Sequence, residues 1–125
     1  MLEQNKSYKI AIETGVKFFS AVFKREYTLS VESIDGDQVW LRVSSVDFVP
    51  SGYRDGGSNN DILDEYFSLK QIRSKYDNAK KLLAALAINH DKSLLSLPSC
   101  QHKVKSLSII SEHLESVLQK IPIEA

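Results

Sequence analysis

Residues 27–43 read YTLSVESIDGDQVWLRV, and this stretch decides the fold because it predicts a β-hairpin. Apolar residues alternate with polar ones on both sides of the turn signal Asp35-Gly36, a period of two that is typical of half-buried strands. The alternating apolar residues are Tyr27, Leu29, Val31, Val39, Leu41 and Val43. We expect these six side chains to share the buried face of a sheet.

The length of the hairpin loop decides which residues face each other. A two-residue loop, Asp35-Gly36, would set the apolar face of one strand beside the polar face of the other. A three-residue loop, 34–36, keeps the six apolar residues on one face and gives Gly36 the position that needs a positive φ. We therefore predict the three-residue loop. The pairs it predicts are Val31 with Val39, Leu29 with Leu41 and Tyr27 with Val43.

Trp40 lies on the opposite, polar face of the predicted hairpin, close to Arg42. A large aromatic residue there is either covered by the helices or a second subunit, or left as a contact surface. Coverage is favoured because tryptophan is mostly buried in folded proteins. The alternative is a ligand platform built from Trp40 and Arg42.

Other segments of the first half add strands to the hairpin. Residues 8–12 alternate as a half-buried strand does, and Thr14-Gly15 predicts a turn. Residues 16–24 are apolar on both faces, which favours a central strand over a short helix. Residues 62–67 fit a last strand slightly better than a helix. These segments predict about five strands, in an antiparallel sheet or a small Sm- or SH3-like barrel.

Residues 50–61 read PSGYRDGGSNND and predict a long, flexible loop. Tyr53 and Arg54 lie near its middle. Tyrosine can stack or donate a hydrogen bond, and arginine can fork onto a phosphate or a carboxylate, so these two residues are candidates to contact a partner. A solvated loop tip is the competing interpretation.

The second half predicts two long amphipathic helices. Ser68 and Gln71 form a capping box, and apolar residues then recur at steps of three and four, so we expect a helix from about Leu69 to Asn89. A second apolar seam follows and ends at Pro122. Two similar helices joined by a short linker usually pack antiparallel.

The architecture predicted from these segments is α+β in a single domain. A β-rich half, residues 1–68, precedes an antiparallel two-helix hairpin, residues 69–125. Both helical stripes are wider than one partner helix requires, and a surplus beyond the sheet predicts a homodimer or a higher oligomer rather than a monomer. The residues expected at that interface are Leu83, Leu86, Leu107, Ile110, Leu114 and Val117.

Composition limits the class of partner. The 125 residues include 16 basic and 16 acidic side chains, and this balance disfavours a strongly basic nucleic-acid binder. The charges are unevenly spread, because residues 1–68 hold 7 of the basic and 11 of the acidic ones. Ordinary surface variation explains this best, and attraction between the halves, within or between subunits, is the alternative.

Compartment and chemistry leave few positive signals. Cys100 is the single cysteine, which agrees with a reducing compartment, and no apolar run approaches the ~20 residues that span a bilayer. With no signal-peptide pattern, a cytoplasmic location without membrane contact is expected. Cys100 and His102 fit neither a zinc pattern nor a nucleophile–base set, so we expect no catalytic residues, no metal and no cofactor.

The function expected from the sequence is non-catalytic binding. The protein would be an inhibitor, adaptor or ligand-sequestering protein that acts as a small homo-oligomer. Its expected partners are further copies of itself and an unidentified protein or small anionic ligand. The alternative is a small β-barrel protein that binds nucleic acid or nucleotides. The residues expected to contact the ligand or partner in either case are Trp40, Arg42, Tyr53 and Arg54.

Overall fold

The fold has an α+β layout in which strands precede helices. The computed structural model describes residues 2–18, 21–48, 60–98 and 104–120. The strands are β1 (Ser7–Phe18), β2 (Ala21–Asp35), β3 (Gln38–Phe48) and β4 (Asn60–Ser68), and the described helices are α1 (Leu69–Lys75), α2 (Ala79–Leu95) and α3 (Val104–Lys120). The strands form one antiparallel sheet in the order β1-β2-β3-β4. No described helix is long and apolar enough to cross a bilayer.

The sheet differs from the expectation in strand number and in closure. It has four strands rather than five, because β1 continues through Thr14-Gly15, where a turn was predicted. The β1–β2 pairing shows only a register shift there, between Glu13 and Lys17. The described strands also form an open sheet and not a barrel, since β1 pairs only with β2 and β4 only with β3. Residues 62–67 lie in a strand, as predicted.

The central hairpin confirms the predicted face but not the predicted register. All six alternating apolar residues are at most 1% exposed. The loop, however, has two residues, since Asp35 pairs with Gln38, and Val31 faces Leu41 instead of Val39. A register shift between Val31 and Ser33 adds one residue to β2. With a two-residue loop alone, the apolar side chains of β2 and β3 would lie on opposite faces of the sheet. The extra residue in β2 returns them to the same face.

The predicted helix from Leu69 to Asn89 is two helices, so the described chain has three helices rather than two. Ser68 caps α1 as expected, and its side chain accepts a hydrogen bond from the backbone N–H of Gln71. The chain then becomes extended at Tyr76. Asn78 starts α2 by accepting a hydrogen bond from Lys80 N at 2.8 Å. Asparagine favours such N-cap positions, and this local signal within the apolar stripe ends one helix and begins another.

Helices α2 and α3 cover one face of the sheet, which we call the inner face. They contact each other and β1, and α2 also contacts β2. Their buried side chains join the six hairpin residues in one core. The core residues that the two helices contribute are Ala79, Leu82, Leu83, Ala84, Ala87, Ile88, Ile110 and Leu114. On the opposite, outer face of the sheet, the side chains of Arg42, Asp64 and Tyr66 are exposed.

A buried hydrogen bond joins helix α2 to strand β2 within this core. The hydroxyl of Tyr27 on β2 donates to Asp91 Oδ2 on α2 at 3.2 Å, and both residues are 1% exposed. Burial raises the pKa of the Asp91 carboxyl, and the positive charge of Arg25 opposes this shift. Burial, followed by the Asp91 charge, also raises the pKa of the Tyr27 hydroxyl. This hydrogen bond therefore ties α2 to β2 inside the core, where the charge of Arg25 also acts on both groups.

We predict that Tyr27→Phe lowers the free energy of unfolding by about 1–3 kcal/mol, because it leaves a buried carboxyl oxygen without its donor. Urea denaturation at neutral pH measures this change. Tyr66→Phe is the matched control, since it removes a hydroxyl from a residue that is 53% exposed and should change stability by less than about 0.5 kcal/mol. Equal stability of the two variants would contradict the role of the buried pair.

The β2–β3 turn is joined to the start of α1. Asp37 accepts a hydrogen bond from the Ser68 hydroxyl at 2.7 Å and another from Lys70 N at 2.9 Å. Its backbone carbonyl also accepts from Leu69 N at 2.7 Å. The Ser68 and Lys70 hydrogen bonds hold the pKa of the Asp37 carboxyl below its usual value. The turn thus supplies a second cap for α1.

We predict that Asp37→Asn lowers the melting temperature at neutral pH. Because folding lowers the pKa of Asp37, its contribution is complete above the unfolded pKa and disappears as the pH falls through the folded pKa. The difference between wild type and variant should therefore stay constant from neutral pH to about pH 5 and shrink at lower pH, as the pH passes the unfolded pKa of about 3.9. Thermal denaturation across that range, with Asp35→Asn as the control in the same turn, tests it. A difference that stays constant with pH would show that the Asp37 charge has no such role.

Candidate functional site

The outer face of β3 and β4 carries the candidate site. Trp40 on β3 lies directly across from Tyr66 on β4, and Arg42 lies across from Asp64. Side chains alternate between the two faces of a strand, so these four point away from the buried inner residues. A register shift between Val43 and Ser44 follows, and it places Asp61 of β4 opposite Ser44 of β3. We call Trp40, Arg42, Asp61, Asp64 and Tyr66 the aromatic face.

The two aromatic rings form an edge-to-face pair. Their centroids are 4.5 Å apart and the ring planes meet at 69°. Tyr66 is 53% exposed and Trp40 is partly buried. Within the described chain, therefore, Trp40 is covered in part by a neighbouring strand rather than by the helices, which lie on the inner face. Its coverage by a second subunit stays a prediction.

Carboxylates surround the polar atoms of this face. Trp40 Nε1 donates to Asp64 Oδ1. Arg42 Nη2 donates to both carboxylate oxygens of Asp61, at 3.3 and 3.2 Å, and the two side chains are about half exposed. The Asp61 hydrogen bond and charge raise the pKa of the Arg42 guanidinium, and the charges of Asp64 and Glu32 add to this effect. These carboxylates therefore offset the positive charge of Arg42.

This arrangement weighs against a ligand held by phosphate contacts at Arg42. Nη2 of its guanidinium already donates to Asp61, so an anion at this nitrogen would compete with that carboxylate and would approach Asp64 as well. Tyr53 and Arg54, the other two residues predicted to contact a ligand, lie outside the described residues. The structure thus brings Trp40 and Arg42 together as predicted and gives no position for the other pair.

The residues predicted at a subunit interface lie mostly inside the chain's own core. Leu83, Ile110 and Leu114 are at most 2% exposed, and Leu86 and Val117 are partly buried against the core. The Leu107 side chain is outside the described part. The described helices therefore bury most of their apolar side chains against the sheet and against each other. Self-association stays a prediction, and the buried leucines and isoleucine offer it little surface.

Three important residues of the aromatic face were not identified from the sequence: Tyr66, Asp61 and Asp64. The sequence allowed a strand at residues 62–67, but the placement of these three residues beside Trp40 and Arg42 depends on the β3–β4 register and on the register shift within it. The segment between these strands is long enough to allow many registers, so no turn signal could fix the pairing. The pairing of Trp40 with Tyr66 is therefore a result of the tertiary structure alone.

Other polar groups and cavities offer less chemistry. The described residues contain no group of three or more His, Cys, Asp or Glu side chains that could hold a metal ion. Tyr27 and Asp91 have shifted pKa values, but both are too deeply buried to meet a substrate. A shallow groove of about 270 Å³ lies where β4 meets the first two helices. It is lined by Phe67, Ser68, Gln71, Ile72, Lys75, Tyr76 and Leu86.

Comparison with known proteins adds no relative. No protein-family model, no curated protein and no solved structure matches this chain. The geometry of the aromatic face is therefore the basis on which a function can be proposed.

Proposed function

We propose that this protein is a binding protein whose aromatic face receives a partner protein. The observation that carries the proposal is the edge-to-face pair of the exposed Tyr66 and the partly buried Trp40 on the outer face of the sheet. Tryptophan and tyrosine are enriched among the residues that dominate protein–protein binding energy. Each combines a large apolar ring with a polar atom, which suits a surface that is wet when free and buried when bound.

The exposure of Tyr66 is unusual within the described chain. Only Tyr66 and Leu97 are exposed large hydrophobic residues among the described positions. Leu97 follows α2 in the segment after the helix end, whereas Tyr66 lies within strand β4 and touches a second aromatic ring. A single exposed leucine needs no functional explanation, but an aromatic pair on an open sheet face is a contact surface of the kind partners use.

The scaffold also supports binding because it holds these side chains in place before a partner arrives. Trp40 is fixed by its hydrogen bond to Asp64 and by its contact with Tyr66. Arg42 is fixed by the two hydrogen bonds to Asp61. Side chains that are ordered in the free protein lose less conformational entropy on association, which improves affinity without any additional contact.

We predict that Tyr66→Ser removes a partner that the wild-type protein retains when it is purified from its own host. The ring of Tyr66 supplies exposed apolar area at the proposed contact, so its loss should weaken binding at least about tenfold, as for a residue that dominates an interface. Affinity purification with quantitative mass spectrometry measures the retained proteins. The variant should remain folded, since the lost ring contact costs only about 0.5–1.5 kcal/mol.

Leu97→Ser is the matched control, because it removes the other exposed large hydrophobic residue at a site away from the aromatic face. It should retain the same proteins as the wild type. Retention of an unchanged set by Tyr66→Ser, or an equal loss in both variants, would reject the aromatic face as the binding surface. Thermal denaturation of both variants separates loss of binding from loss of folding.

Self-association is the second part of the proposal. We expect size-exclusion chromatography with light scattering at micromolar concentration to give a mass above the 14.1 kDa of one chain. A single mass of 14.1 kDa would end the oligomer proposal without affecting the partner experiment. Because the described helices bury most of their apolar residues, a loss of the larger species in Tyr66→Ser would identify the aromatic face as the subunit contact.

Binding of nucleic acid or nucleotides has less support. Trp40 could stack on a base, but the carboxylates of Asp61 and Asp64 lie where phosphates would approach. Nucleic-acid affinity depends mainly on cations that neutralise phosphates, and the only such group of the aromatic face already faces a carboxylate.

A further inference from the structure

We propose that the aromatic face recognises an arginine or lysine side chain, presented by an extended basic segment of a separate partner protein. This inference depends on the proposed function and names the chemistry of the partner. It is carried by the placement of two aromatic rings and two carboxylates on one exposed surface.

The charge of the aromatic face favours a cation. Its five residues include one basic side chain, Arg42, and two acidic ones, Asp61 and Asp64. Glu32, on the neighbouring strand β2, is exposed and close enough to raise the pKa of Arg42. The larger segment agrees with this local excess, since residues 1–68 contain 7 basic and 11 acidic side chains. An incoming positive charge therefore meets a complementary surface, whereas an anion meets repulsion.

Two of these groups are placed to contact one guest. Asp64 and Tyr66 are two residues apart on β4 and share the outer face, which separates their Cα atoms by about 6.6 Å. A cation lies within about 6 Å of an aromatic ring centre when it is bound over the ring. A guanidinium over the exposed face of Tyr66 is thus within reach of the Asp64 carboxylate, and it can stack and form a charged hydrogen bond at once.

The existing hydrogen bonds leave room for that contact. Asp64 uses Oδ1 to accept from Trp40 Nε1. A carboxylate has about four acceptor sites, so Oδ2 can still accept from a guest. Asp61 offsets the charge of Arg42, which limits the repulsion that a second cation would otherwise meet. Arg42 therefore has a structural role here and orders Asp61 beside the proposed binding position.

The position of β4 explains why the guest segment should be extended. β4 is the last strand of the sheet, and among the described residues its ladder partners lie on β3 alone. A peptide that adds to such an edge forms main-chain hydrogen bonds, and its alternate side chains point to the same face as Asp64 and Tyr66. Basic residues at every second position would then lie beside the acidic residues of this strand.

The same charges argue for a separate partner over a second copy of this chain. Pairing β4 with β4 of another copy would bring the carboxylates of Asp61, Asp64 and Glu65 together, and like charges across neighbouring strands destabilise the pair. A contact between the aromatic face of one copy and some other part of the next joins two different surfaces. Such a contact leaves both ends of the assembly open unless a ring closes.

The test uses a nine-residue peptide that alternates arginine with threonine and has blocked termini. Its control carries citrulline, a neutral analogue of nearly the same shape, in place of each arginine. Trp40 is the only tryptophan in the chain, so its fluorescence reports on the aromatic face directly. Isothermal titration calorimetry gives the affinity even where the emission does not change. We expect saturable binding of the arginine peptide and at least about tenfold weaker binding of the citrulline peptide.

Variants separate specific recognition from general attraction to an acidic protein. Asp64→Asn keeps an oxygen acceptor for Trp40 Nε1 but removes the charge, and it should weaken the arginine peptide about fivefold. Tyr66→Ser leaves the net charge unchanged and should weaken it by a similar factor, through loss of the ring beneath the cation. Glu112→Gln is the matched charge control on the exposed side of α3, and it should bind as the wild type does.

Each other outcome overturns the inference. Equal binding of both peptides, or no binding of either by calorimetry, rejects cation recognition, while the Tyr66→Ser purification experiment still decides the proposed function. If Asp64→Asn and Glu112→Gln weaken binding of the arginine peptide equally, the binding is general charge attraction and not recognition by the aromatic face. A larger species in light scattering that the arginine peptide dissociates and Asp64→Asn abolishes would make a second copy the occupant, contrary to the separate partner proposed.

Discussion

The burial of one face of the sheet under α2 and α3 is the constraint on which the rest of the structure depends. The six alternating apolar residues of the central hairpin are at most 1% exposed, and they meet the leucines, alanines and isoleucines of the two helices in a single core. Because successive side chains of a strand point to opposite faces, this burial leaves Trp40, Arg42 and Tyr66 on the side away from the helices. The surface proposed for binding is therefore a direct consequence of how the core forms.

The two faces of the sheet use polar groups in different ways. On the inner face, Tyr27 and Asp91 are shielded from water, and the hydrogen bond between them meets a need that solvent cannot meet. Removing one partner there costs stability because the other is left buried and unsatisfied. On the outer face, Asp61 and Asp64 remain in contact with water, where ion pairs contribute little to folding. Their charges contribute mainly to the electrostatic potential that an approaching molecule encounters.

The sequence predicted the features that depend on local pattern and missed those that depend on pairing. The apolar face of the hairpin follows from a period of two, and the Ser68 cap follows from a known local motif. The register does not follow from this pattern. An extra residue within β2 keeps the apolar side chains of both strands on one face, and a longer loop would have the same effect. The break between α1 and α2 was missed since the apolar stripe continues across it, although Asn78 is a good N-cap residue. The partnership of Trp40 with Tyr66 joins residues 26 positions apart and has no local signal.

Arg42 shows why residue type alone favours an anionic ligand. An arginine next to an exposed tryptophan suggests a phosphate site when the surroundings are unknown, because guanidinium and phosphate fit each other well. The β3–β4 pairing places Asp61 and Asp64 beside this arginine, and its Nη2 already donates to Asp61. The group that a guest meets first is then the Tyr66 ring beside Asp64, which together favour a positive charge. The chemistry of the surface is thus set by the register of two strands, and a single residue in that surface does not reveal it.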